Sequence, residues 1–174
     1  LLEDTRKICE TAIRFWHGKV LRAGHGGKPP HQDYLFMLNV VEDGYGGLEH
    51  RNSTALIAAR KDLPRFVTGT AGVRQPDGYT TLLGLISHEY FHIWSIKRLR
   101  PVEFTQFDYG RENYTRLLWF FEGFTSYYDD LLLVRAGLLT ESDYLTRLSR
   151  AINASMVPPG RKVRSVALSS FDAW

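Results

Sequence analysis

The stretch from Thr80 to Trp94 constrains this 174-residue chain more than any other, because it surrounds His88, Glu89 and His92 with aliphatic and aromatic residues. Leu82, Leu83, Leu85, Ile86, Tyr90, Phe91, Ile93 and Trp94 leave almost no polar face, and a helix apolar all round is a buried helix. Histidines four positions apart lie on one helix face, one turn above the other. Burying two imidazoles and a carboxylate is costly unless something binds them. The His-Glu-x-x-His spacing suggests what does: two such nitrogens can grip one zinc ion at about 2.0–2.1 Å each. Glu89 is too close in sequence to be a comfortable third ligand, and it is well placed to take a proton from water.

A hydrolytic zinc takes three protein ligands and keeps one position open. Cys9 is the only cysteine, so neither an intrachain disulfide nor a thiolate zinc site can form. Among the downstream carboxylates Glu122 stands out, because it sits in the apolar segment Leu117–Phe124. A charge there must be paired or bound to metal. It follows His92 at a distance that allows a loop and an antiparallel returning helix. A buried ion pair with Arg98 or Arg116 is the competing role. Asp129, farther along the same helix face, could accept a hydrogen bond from the free ring nitrogen of His88 or His92, or could be a solvated carboxylate. Tyr127 and Tyr128 could offer a phenol to an oxyanion or serve as core aromatics.

Composition narrows the rest. The chain is 44% hydrophobic and 24% charged with net charge +3, enough for one domain with a real core. The basic runs Lys97–Arg100 and Arg161–Arg164 are short, do not interleave with aromatics, and read as surface charge. Nucleic acid is therefore excluded as a partner. No apolar run reaches membrane-spanning length, and no signal peptide is recognisable. The missing initiator methionine and an ending inside an apparent element predict an excerpt of a longer, multidomain protein, with residues 1–174 its catalytic domain. The compartment stays open, with the single cysteine favouring the cytoplasm.

Periodicity predicts a helix over 3–17 capped by Asp4 or Thr5, and a loop from Gly18 to Pro30 with His17, His25 and His31 as surface histidines. Residues 34–41 read as a buried strand, Asp43–Gly47 as a glycine-rich turn, and 53–59 as a second strand antiparallel to the first. Residues 63–78 are irregular and end in the turn Pro76-Asp77-Gly78. Pro101 closes the metal-helix run and a polar loop follows over 102–112. A helix over about 113–136 stops at Gly137, and a capping box at Thr140–Asp143 opens another to about Ala154. Pro158-Pro159-Gly160 breaks it, and the last fourteen residues carry no clear signal. Strands early and helices late make an α+β fold.

His88-Glu89-Tyr90-Phe91-His92-Ile93-Trp94-Ser95-Ile96-Lys97-Arg98-Leu99-Arg100-Pro101 resembles the metal helix of the glycyl aminopeptidase family of zinc peptidases, and Leu118–Asp130 resembles that family's third-ligand helix. The likeness extends from Tyr34 to Trp174. It implies a thermolysin-like catalytic domain with one zinc per chain on His88, His92 and Glu122, and Glu89 as general base. Gly46-Gly47-Leu48-Glu49-His50 is similar to the Gly-x-Met-Glu-Asn strand of the related aminopeptidase N group. By that resemblance Glu49 would hold the substrate's α-amine while Gly46 and Gly47 let the peptide approach the backbone. The family also carries a transition-state tyrosine past the third ligand, expected beyond Trp174, a β-rich domain before the catalytic one, and a PDZ-like module after it. The expectation is a zinc aminopeptidase acting on peptides with a free N-terminus, glycine or small residues preferred. Its rivals are a zinc endopeptidase of the same fold and a non-catalytic, zinc-stapled peptide-binding domain.

Overall fold

Helix α1 (Leu2–His17) turns Ile8, Thr11 and Ala12 inward. It starts one residue before the expected position 3, and neither Asp4 nor Thr5 caps it: Leu1 stands at the N-cap without a side-chain bond. Asp4, inside the first turn, instead accepts a hydrogen bond from the Tyr79 hydroxyl at 2.7 Å. The computed structural model describes residues 1–18, 28–66, 73–74, 76 and 78–173, so His25, most of the loop before Pro30, Asp77 of the expected turn and Trp174 lie outside the described residues. His17 and His31 are half-buried rather than free on the surface. The Trp94 indole donates to His17 Nε2 at 3.0 Å and His31 Nε2 pairs with the Tyr90 hydroxyl at 3.0 Å, because buried indole and phenol groups need polar partners.

Three strands follow: β1 (Leu35–Val41), β2 (Tyr45–Glu49) and β3 (Ser53–Ala59). Their order is β1-β3-β2, with β3 parallel to β1 and antiparallel to β2. This corrects the expected antiparallel pairing of 34–41 with 53–59. The glycine-rich segment is itself a strand, so the chain reverses twice and β3 runs in β1's direction. The register sets Gly47 opposite Leu56 and Glu49 opposite Thr54. Leu56 and Thr54 are buried, so alternation along the pleat turns Gly47 and Glu49 to the sheet's inner face. Two-residue strands β4 (Arg65–Phe66) and β5 (Val73–Arg74) form a separate antiparallel pair.

Helix α2 (Tyr79–Phe91) is the central element, buried on nearly every side as its composition requires. It packs against α1, β2, β3 and α3 (Leu118–Arg135). The helical run ends at Phe91, with His92 as its C-cap, well before Pro101. Residues 113–117 also stay outside α3, where the Leu117 amide donates to Thr115 Oγ1 at 3.2 Å; such a local bond competes with helical pairing. At the other end Gly137, at φ +70, lets the Leu138 amide reach Leu133 O at 2.9 Å and its own amide reach Val134 O at 3.0 Å. That double closure is a Schellman motif. Helix α4 (Glu141–Met156) and the short α5 (Val166–Phe171) complete the chain. The core has two parts, one around Leu56, Leu82, Ile86 and Leu133, the other around Ala12, Tyr90, Phe91, Trp94 and Leu132. The fold is α+β. No helix among the described residues is long and apolar enough to cross a membrane.

Candidate metal centre

Helix α2 presents His88 and Glu89 at its last turn and His92 at its cap; α3 crosses it and brings Glu122 and Asp129. His88 Nε2 lies 3.2 Å and His92 Nε2 3.5 Å from the same oxygen of Glu122. The other ring nitrogens are already engaged, His88 Nδ1 with Asp129 Oδ2 at 3.1 Å and His92 Nδ1 with the Ser95 carbonyl at 3.1 Å. Partners that accept at Nδ1 fix each ring's tautomer and turn Nε2 toward a common point.

Glu122 pairs with neither arginine considered for it. Arg98 donates to the Ile93 carbonyl at 2.8 Å and Arg116 lies over the Phe171 ring. Its side chain is 42% exposed, more than the apolar sequence around it predicts, because α3 leaves Trp119 and Phe124 partly open to solvent. Burial pulls His88 down, but the hydrogen bonds to Asp129 and Glu122 outweigh it and push the imidazole up to about 10. Burial raises Glu122, and the bonds from His88 and His92 overcome it and hold the carboxyl at about 2.

Glu89 is buried, and its Oε2 has no hydrogen-bond partner among the described residues. Burial raises its pKa, against the attraction of His92 and His88. The Gly47 backbone lies against this carboxylate so closely that a Cβ on Gly47 would overlap it, whereas Gly46 faces open space. Glu49 stands near the same carboxylate on β2, and its Oε1 pairs with Lys97 Nζ at 3.0 Å. Lys97 was expected to be plain surface charge. Its placement follows from Ile96, a β-branched residue at φ +83, a conformation no periodicity signals. Tyr128 is a core aromatic, stacked on Phe91 at 5.5 Å, and Tyr127 is half-exposed.

Among the described residues two ligand sets could hold a cation: His88, His92 and Glu122, or Glu49, Glu89 and His92, each with ligand atoms within 4.8 Å of one another. The first fits better. Its two Nε2 atoms are aimed and oriented from behind, while the second commits Glu49 to Lys97. Two imidazole nitrogens and one carboxylate also match the donor set of a catalytic metal with an open position.

With this geometry in view, the comparisons with known proteins are specific. The model of the M61 glycyl aminopeptidase family matches residues 81–174. The crystal structure of an aminopeptidase N family protein from Idiomarina loihiensis superposes with TM-score 0.86 at 42% sequence identity, over 99% of this chain and 27% of that one. No curated protein matches. The fold and these likenesses place the chain in a class of peptidases. The chain belongs to the M61 glycyl aminopeptidase family, and it spans about a quarter of the length of the solved relative.

Proposed function

We propose that the chain carries the catalytic centre of a zinc-dependent aminopeptidase of thermolysin-like build, acting on peptides with a free N-terminus. The observation that carries the reading is the convergence of His88 and His92 on Glu122 beside the unpartnered oxygen of Glu89. Zinc held by His88, His92 and Glu122 would supply Lewis acidity to the scissile carbonyl and to the attacking water. Glu89, its basicity raised by burial, takes the proton of that water and hands it to the leaving amine. Glu49 pairs with the α-ammonium, and the Gly46–Gly47 backbone leaves room for the peptide to lie along β2. Asp129 keeps His88 in the tautomer that frees Nε2. Resemblance to the glycyl aminopeptidases supports a preference for N-terminal glycine or another small residue.

A second reading rests on Lys97. Its ammonium already pairs with Glu49, and a Glu49 committed to that pair would leave an endopeptidase. A non-catalytic, zinc-stapled domain gains no support, since a closed structural site has no use for a base beside the metal.

The test combines metal analysis with hydrolysis of glycyl reporter amides. The expected result is about one zinc per chain, lost in Glu122→Ala. Glu89→Gln should keep the zinc and lower hydrolysis by about 10²–10⁴-fold. Failure to bind zinc after reconstitution overturns the reading. Cleavage of amino-acetylated peptides as fast as free ones hands it to the endopeptidase.

A further inference from the structure

Glu49, at the end of β2, stands between two fields that push it the same way. Its carboxylate lies within 4.8 Å of ligand atoms of Glu89 and His92, and two carboxylates that close repel each other. It also lines a cavity of about 500 Å³ together with Arg51 and Arg100, and Glu89 and His92 are not among that cavity's described lining residues. A concave site rich in positive charge attracts a carboxylate. Repulsion from Glu89 and attraction by the arginines therefore both favour a Glu49 turned out of the metal cleft. What opposes them is Lys97, whose Nζ lies 3.0 Å from Glu49 Oε1.

Lys97 is itself placed by its backbone. Ile96 before it is β-branched yet sits at φ +83, a strained conformation of the kind that gathers at functional sites. The Lys97 amide donates to His92 O at 3.2 Å, which ties the lysine to the residue capping α2. The Lys97 and Glu49 side chains are 28% and 19% exposed, so their pair is less screened than the surface ion pairs that contribute almost nothing. The contact engages Oε1, and a carboxylate has a second oxygen with which to accept. We propose that Lys97 is the positioning residue of the amine anchor: it holds Glu49 in the metal cleft by one oxygen and leaves the other for the α-ammonium of the substrate. Selection of a free N-terminus then depends on Lys97 as well as on Glu49. The inference rests on the reading of Glu49 as that anchor.

The deciding measurement is calorimetric binding to the zinc-loaded protein of the ketomethylene analogue of glycylglycine amide, whose scissile bond cannot be hydrolysed, against its N-acetyl counterpart. The free amine should bind about thirtyfold tighter, the worth of a hydrogen bond to a charged group. Lys97→Met should cut that preference about tenfold by weakening the free amine alone, since most of that bond is lost when its acceptor moves. Zinc content and affinity for the acetylated analogue should stay as they were, and Lys97→Arg, which returns the charge, should recover most of the preference. An unchanged preference in Lys97→Met overturns the assignment. So does tighter binding of the free amine, which would make the lysine a competitor for Glu49, and so does an equal loss for both analogues, which would make it a structural support of the cleft. If Glu49→Gln keeps the full preference, the amine anchor itself fails and this inference with it. A preference lost in Glu49→Gln but intact in Lys97→Met would remove the role of Lys97 and leave the anchor standing.

Discussion

Gly47 occupies a position where a single added carbon would collide with the carboxylate of Glu89. Its backbone therefore helps to set where the proposed base lies, and a methyl group must push one of the two aside. Gly47→Ala should bind zinc as the unmodified protein does, because no proposed ligand touches it. It should lose hydrolysis by about 10²-fold, the cost of misplacing a catalytic group by an ångström. Undiminished turnover in that variant would mean that Glu89 is not held by Gly47. At this scale the sequence exposes His88, Glu89 and His92 plainly, because their spacing stands out against an apolar helix. Glu122 was also legible, as a charge in an apolar run, although its side chain proves more exposed than that argument assumed. Lys97 and Ser95 were not: both follow the end of α2, and the left-handed backbone at Ile96 turns Lys97 where no helical or strand period would. Backbone strain of this kind costs about 1–3 kcal/mol and persists where surrounding contacts hold it. Here they include the Ile96 amide on Leu99 O at 2.7 Å and the Lys97 amide on His92 O at 3.2 Å.

Among the elements, helix ends were easier to read than strand partners. Thr140 caps α4 as its sequence predicts, accepting the Asp143 amide at 3.1 Å, and Gly137 closes α3. Strand direction was not legible, since alternation says which face is buried but not which neighbour supplies the ladder. Glycines at 46 and 47 disguised β2 as a turn, and α5 is too short for a periodic signal. Helix α4 buries no residue fully and is tied to α3 by Arg147 and Asp130 at 2.7 Å, so its cap carries unusual weight. Thr140→Ala should lower stability by about 1 kcal/mol and speed amide exchange in the first turn of α4, leaving α2 untouched. Thr140→Ser should restore both. Unchanged exchange in α4 would mean that Arg147 and its contacts, not the cap, hold the helix.

For the molecule as a whole, the centre where α2 meets α3 joins its stability to pH and to metal. His88 rises from 6.5 to about 10 on folding, so its contribution is fully present below pH 6.5 and is lost as pH climbs through 10. Glu122 falls from 4.5 to about 2, so its contribution stands above pH 4.5 and is lost only as pH drops through 2. Between pH 6.5 and 10 the histidine therefore governs, and protein stripped with a chelator should show a falling melting temperature across that window. Zinc requires His88 without its proton at Nε2, so metal and proton compete for one atom and binding must release the proton. Zinc in hundredfold excess over its dissociation constant adds about 2.7 kcal/mol of stability, and the constant itself tightens as pH rises. Melting curves with and without zinc should accordingly converge below pH 6 and separate steadily toward pH 9. Asp129→Asn, which removes the charge that favours the imidazolium, should flatten the zinc-free curve. Parallel curves across the whole range would show that His88 neither holds that proton nor meets the metal.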